Sequence, residues 1–178
     1  NKQIINGIHL LKDYYQYEEF FNPYRTEIKN DILDLPCVDK NCKDVVIHLR
    51  LDGFNHHGWD SHIIHPDWYT SILDSLSFDK LYIVMATKSG RLRKDQNKSE
   101  YIELFKKYNY EIVSGNEVED ITFIRSFDRI ISSNSTFSWW ACFLSDATHI
   151  FLPVHWEGKK SRLHTIGTTS KVVSHNFK

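Results

Sequence analysis

Apolar residues along this 178-residue chain gather into short continuous runs separated by stretches of helical period. The runs Val45–Leu49, Leu81–Ala86, Tyr110–Val113, Arg129–Ser132, His149–Leu152 and Val172–Ser174 predict strands. Most of them do not alternate with polar residues, which is the mark of strands covered on both faces in a parallel sheet. Between them, Pro66–Leu76, Ser99–Tyr108, Glu117–Phe127 and Thr136–Leu144 predict helices. Pro66 with Asp67 suits a first helical turn, and Ser99 before Glu100 reads as an N-cap. Strands alternating with helices of this length predict an α/β fold. The expected form is a single Rossmann-like, doubly wound, mostly parallel sheet whose ligands sit beyond the C-terminal strand ends.

The first 40 residues have a different texture. Tyr14, Tyr15, Tyr17, Phe20, Phe21 and Tyr24 crowd together, and a charged helical stretch follows around Arg25–Leu33. The organisation expected is an aromatic helical flank over 1–40 and a Rossmann-like, nucleotide-sugar-binding domain over 41–178. Gly53–Ile64 and the basic stretch Thr87–Lys98 are the two long loops. Neither an internal repeat nor a low-complexity tract is present.

Lys and Arg total 22 against 23 Asp and Glu, a balance that argues against a nucleic-acid partner, which would select a basic face. Cys37, Cys42 and Cys142 cannot all pair and form no disulfide framework. Cys37 and Cys42 at most make half of a zinc site, and no second pair of ligands stands at a suitable spacing. No run approaches the ~20 apolar residues of a membrane span, so the expectation is a soluble, cytoplasmic chain. Asn134-Ser135-Thr136 and Asn97-Lys98-Ser99 both fit the glycosylation acceptor pattern.

Candidate chemistry concentrates at two strand ends. Ile130-Ile131 runs into Ser132-Ser133-Asn134-Ser135-Thr136, and an aromatic helix opens at once. A buried strand that ends on hydroxyl and amide side chains and starts a helix brings N–H and O–H donors to one point, a construction that holds phosphate. Val45-Val46-Ile47-His48-Leu49-Arg50 delivers a histidine and an arginine to the end of another strand. Together the two ends suggest a diphosphate-bearing ligand.

His48-x-Arg50, Asp120 at a helix start, and above all Ser133-Asn134-Ser135-Thr136-Phe137-Ser138-Trp139-Trp140 resemble the family-11 (α-1,2-) fucosyltransferases and the wider GDP-fucose fucosyltransferase superfamily. Weaker similarity extends from Tyr15-Gln16-Tyr17-Glu18-Glu19-Phe20-Phe21 to Pro153 and Trp156. The resemblance implies the donor-binding C-terminal half of a GT-B glycosyltransferase. Its expected activity is transfer of L-fucose from GDP-fucose to a glycan acceptor with inversion, without a metal or other cofactor. It implies that Arg50 lies on the β-phosphate, and that Ser135 and Thr136 donate to the same group with Ser133 and Asn134 beside them. Asp120 would pair with the N1–H and N2 amino group of guanine, and His48 would bond ribose or phosphate or orient Arg50. The absence of an Asp-x-Asp sequence agrees with a metal-free site.

The chain also departs from that family. Asp52-Gly53 stands where members read Gly-Asp, and Lys88-Ser89 follows the second major strand where relatives carry a pair of aspartates. The Gly-Asn-Gln-containing motif of the family's N-terminal domain is missing, which implies further domains in a longer chain or a reduced acceptor side. An inverting transferase needs a base for the acceptor hydroxyl. Asp52 and Asp60 are the candidates, with His56 and His57 behind them, although Asp60 also reads as a turn residue. Alternatives remain open: a catalytically silent GDP-sugar-binding module, a transferase using another GDP-sugar, or a metal-dependent hydrolase built on His56, His57, His62, His65, Asp60 and Asp67.

Overall fold

The computed structural model describes residues 18–32, 34–35, 39–51, 64–85, 98–153 and 171–172. Among these residues six strands form one sheet: β1 (Val45–His48), β2 (Leu81–Val84), β3 (Tyr110–Val113), β4 (Arg129–Ile131), β5 (His149–Phe151) and the two-residue β6 (Lys171–Val172). Their order is β3-β2-β1-β4-β5-β6, and every pairing is parallel. Four helices follow strands β1 to β4 in turn: α1 (Pro66–Leu73), α2 (Lys98–Phe105), α3 (Glu117–Arg125) and α4 (Thr136–Phe143). The fold is therefore α/β and Rossmann-like. From β1 the chain winds outward to β3, then returns to lay β4 on the other side of β1. The reversal between β1 and β4 opens the crevice in which doubly wound sheets take ligands.

The two-residue period of a strand sorts its side chains between two cores. Val46, Val84, Ile130 and Ile150 face a core with Ile124 of α3 and Trp139, Ala141, Cys142 and Phe143 of α4. Val45, Ile47, Leu81, Ile83, Ile131 and Phe151 face Trp68, Tyr69, Ile72 and Leu73 of α1 and Tyr101 and Phe105 of α2. Burial on both faces explains why these strands read as unbroken apolar runs. Trp139 is fully buried and stacks on Phe143 with ring centroids 5.1 Å apart and planes within 6°. Trp139 is thus part of the core.

The N-terminal arm, Glu18–Ile32, is a chain of short α, 3-10 and π turns. Phe21, Ile28 and Leu35 pack on the α4 side of the sheet, with the Phe21 ring 4.9 Å from Trp140. Past the π turn, Asp34 takes a left-handed conformation (φ 44°), and the Leu35 N–H reaches the Lys29 carbonyl at 3.0 Å. Arg25 then clasps the C-terminal end of α4. Its Nε donates to the Phe143 carbonyl at 2.7 Å, and Nη2 donates to the Ser145 carbonyl and to Asp146. Those carbonyls have no partner within the helix, so a guanidinium there satisfies them and complements the helix dipole.

Several boundaries differ from the sequence expectation. Helix α1 stops at Leu73 rather than Leu76: the Asp74 N–H makes the last i−4 bond, to the Thr70 carbonyl, and the Ser75 and Leu76 N–H groups turn to the i−3 carbonyls of Ile72 and Leu73, while Leu76 and Phe78 pack from the following turn. Helix α2 begins at Lys98, so Ser99 is inside it and not its N-cap. The last strand is Lys171–Val172, one residue earlier than its expected start, and residues 173–174 lie outside the described set. No helix among the described residues is long and apolar enough to cross a membrane.

Candidate functional site

The spacing His48-x-Arg50 sends both side chains to the face that carries Val46, which is the α4 face. Leu49 and Leu51, between and beyond them, turn into the opposite core. The β1–β4 register pairs Ile47 with Ile131, so the chain beyond β1 and the Ser132–Ser135 turn leave the sheet side by side at the crevice. The Leu49 N–H continues to the Val84 carbonyl at 2.9 Å, and the Ser132 N–H to the Phe151 carbonyl at 2.9 Å. Both ends are thereby anchored one residue past their strands.

Arg50 donates from Nη1 to Ser135 Oγ at 3.2 Å. Ser135 occupies the N-cap position of α4 with extended backbone angles (φ −126°, ψ 132°), yet its side chain makes no capping bond. The hydroxyl that would ordinarily satisfy a first-turn amide faces the guanidinium instead. First-turn amides of an α-helix have no intrahelical acceptor, and together they carry the positive end of the dipole. A guanidinium and a helix N-terminus therefore converge at the switch point. Ser133, Asn134 and Ser135 are all buried, and Thr136 is partly exposed. Asn134, 5% exposed, is poorly placed for glycosylation of the folded chain.

His48 is fixed from the same turn. Its Nδ1 is hydrogen-bonded with Ser133 Oγ at 3.1 Å and with Ser138 Oγ, and the two hydroxyls lie 3.2 Å apart. The Phe137 ring covers the imidazole at 5.2 Å between centroids. Although His48 keeps some surface exposure, burial brings its pKa down to about 3, with the Arg50 charge acting in the same direction. The ring is neutral at physiological pH. The sequence gives ligand roles to Ser133 and Ser135; Ser138 stands in the same motif, but no role is assigned to it there.

Comparison with protein-family models, curated proteins and solved structures returns no match.

Asp120 stands apart from the cradle. It lies in the first turn of α3, the helix that follows β3, and β3 is two strands from β1 in the sheet. The helix is opened not by Asp120 but by Asn116, whose side chain accepts from the Val118 and Glu119 N–H groups while Glu119 reaches back to the Asn116 N–H. This capping box is legible in the sequence as Asn116-x-x-Glu119. Asp120 Oδ1 accepts from the Gly115 N–H at 2.8 Å. Burial raises its pKa, the Gly115 bond opposes that, and Glu119 and Glu117 add to the rise. A side chain at Gly115 would meet Glu119 Oε2 at 2.6 Å and its Cβ at 2.8 Å, so the close approach depends on glycine.

The proposed bases Asp52 and Asp60, with His56, His57 and His62, lie outside the described residues, as do Lys88-Ser89 and Trp156. His65 and Asp67 of the hydrolase alternative are exposed at the start of α1, where His65 caps the helix by accepting from the Asp67 N–H at 3.3 Å. Cys37 is likewise outside the described set, while Cys42 is exposed and Cys142 is buried. Burial pushes the Cys142 thiol up to about 12, with a Ser132 hydrogen bond opposing the rise.

Proposed function

We propose that this chain binds the diphosphate of a GDP-sugar, best GDP-fucose, and serves a metal-independent, inverting glycosyl transfer to a glycan. One observation carries the reading. Arg50 and the N-cap Ser135 of α4 meet at 3.2 Å on the crevice between β1 and β4. A guanidinium supplies permanent charge and paired donors to phosphate oxygens, and helix amides add directional donors. As the glycosidic bond to the diphosphate breaks, negative charge grows on the leaving group, and pre-aligned donors of this kind favour that state. Ser133, Asn134 and Thr136 line the same turn, and His48 stands beside Arg50. Asp120 stands in the first turn of α3, the helix that follows β3. Its carboxylate suits the N1–H and N2 amino donors of guanine, a pair adenine lacks. Asp52 or Asp60 would take the acceptor proton.

Calorimetry of the chain against GDP, UDP and CMP, each with and without its sugar, tests the reading. GDP and GDP-fucose should bind, and Arg50→Ala should lose most of that affinity. Equal, Arg50-independent binding of all three nucleotides would overturn it. Release of fucose from GDP-fucose over time, with and without glycan acceptors, separates a transferase from a binding module.

A further inference from the structure

Three polar atoms form a closed triangle under the cradle: His48 Nδ1, Ser133 Oγ and Ser138 Oγ. Ser133 and Ser138 are each 1% exposed, and among the described residues their hydroxyls meet no other side-chain or backbone acceptor. The protons in the triangle can therefore be counted. With a proton on Nδ1, three donors would share two hydroxyl oxygens, and one buried O–H would be left without an acceptor. With Nδ1 bare, the Ser138 hydroxyl donates to it, and the Ser133 hydroxyl donates to Nδ1 or to Ser138 Oγ. Every proton is then placed. Buried hydroxyls that lack an acceptor are disfavoured, so the second arrangement wins. The ring proton is left on Nε2, on the side of the imidazole away from the serines, where no described residue offers an acceptor.

We propose that Ser138, assisted by Ser133, is a positioning residue that locks His48 as the Nε2–H tautomer, so that the imidazole presents one neutral donor to a ligand oxygen seated at Arg50. The identity of that ligand as a diphosphate rests on the function proposed above; the tautomer lock does not. Such a division gives the site one charged donor, Arg50, and one neutral donor of fixed direction. Fixing the ring from behind removes the flip that would turn an acceptor nitrogen toward the anion. The hydroxyl comes from the helix whose N-terminus faces the ligand, so His48 and that N-terminus keep one alignment.

Long-range proton–nitrogen NMR correlation on the nitrogen-15-labelled chain tests the lock without any ligand, with His48→Gln identifying the signals. The wild type should show Nε2 protonated and Nδ1 unprotonated and hydrogen-bonded. A protonated Nδ1, or two exchanging tautomers, would overturn the proposal. Ser138→Ala should shift the Nδ1 signal and weaken GDP and inorganic pyrophosphate binding by roughly three- to tenfold, the worth of one hydrogen bond. Ser138→Thr, which keeps the hydroxyl, should restore both. If Arg50→Ala abolishes GDP binding while Ser138→Ala changes neither ring signals nor affinity, the positioning role is refuted and the diphosphate reading stands. A locked tautomer in a chain that binds neither GDP nor pyrophosphate would refute the diphosphate reading and leave the lock standing.

Discussion

Arg50 Nη1 lies 3.2 Å from Ser135 Oγ, joining the end of β1 to the first turn of α4 across 85 residues of sequence. The two side chains meet because β1 and β4 are neighbours and parallel, so that the chain beyond each strand leaves the sheet side by side. The contact sits where the order of the sheet reverses.

Replacing that guanidinium separates binding from folding. Arg50→Ala should cost GDP affinity by about ten- to a hundredfold, the range for charge-assisted hydrogen bonds. Arg50→Lys should recover only part, since a point charge does not reproduce the paired donors. Calorimetry reads the loss, and a thermal melt close to wild type would show that the fold is intact. Undiminished binding in Arg50→Ala would remove Arg50 from the site.

The proposed function gives base selectivity to Asp120. Asp120→Asn should weaken GDP by about tenfold or more and leave UDP nearly unchanged, because an amide cannot accept from two guanine donors at once. Parallel titrations with the two nucleotides give the comparison. Equal weakening of both would restrict Asp120 to its bond with the Gly115 N–H.

Acid should loosen the fold through His48. Its folded pKa lies near 3, below the ordinary 6.5, so between those values the unfolded chain binds more protons. Stability therefore declines as pH falls from about 6.5 toward 3. Asp146 acts in the same sense at lower pH. Burial alone would raise its pKa, but hydrogen bonds from Arg25 and Lys29 bring it down to about 2, and the stability it contributes is lost as pH falls through that value. Urea midpoints from pH 7 to 5 should drop more steeply for the wild type than for His48→Gln. Parallel slopes would mean that the ring is protonated in the fold.

Removing the clasp at the far end of α4 should destabilise the chain without touching the rim. Arg25→Ala forfeits bonds to the Phe143 and Ser145 carbonyls and the ion pair with Asp146. A loss of about 1–3 kcal/mol is expected from two carbonyls left uncapped. Chemical denaturation would show it as a lower midpoint at unchanged slope. A midpoint equal to wild type would mean that solvent serves those carbonyls equally well.

The strands were legible because both faces of the sheet are buried: Val45, Val46 and Ile47 are all 0% exposed, and such runs are hard to misread. Helix ends were less so. Leu76 and Phe78 stay apolar after α1 has ended, since they pack from a turn rather than from the helix. The exposed N-terminus of α3 depended on a local signal, Asn116-x-x-Glu119, that competed with the more conspicuous Asp120. Of the cradle, His48, Arg50, Ser133 and Ser135 could be found because each stands at a strand end. Ser138 could not, as its partner lies 90 residues away and only the β1–β4 neighbourhood brings them together.

Helix α4 is gripped at both tips: Arg25 holds its tail and the Ser135 turn seats its head. Eight residues span only about 12 Å, and a rod that short and that well packed does not bend. The two grips thus set the ends of one stiff spacer, which holds the aromatic arm and the Ser132–Ser135 turn at a fixed separation.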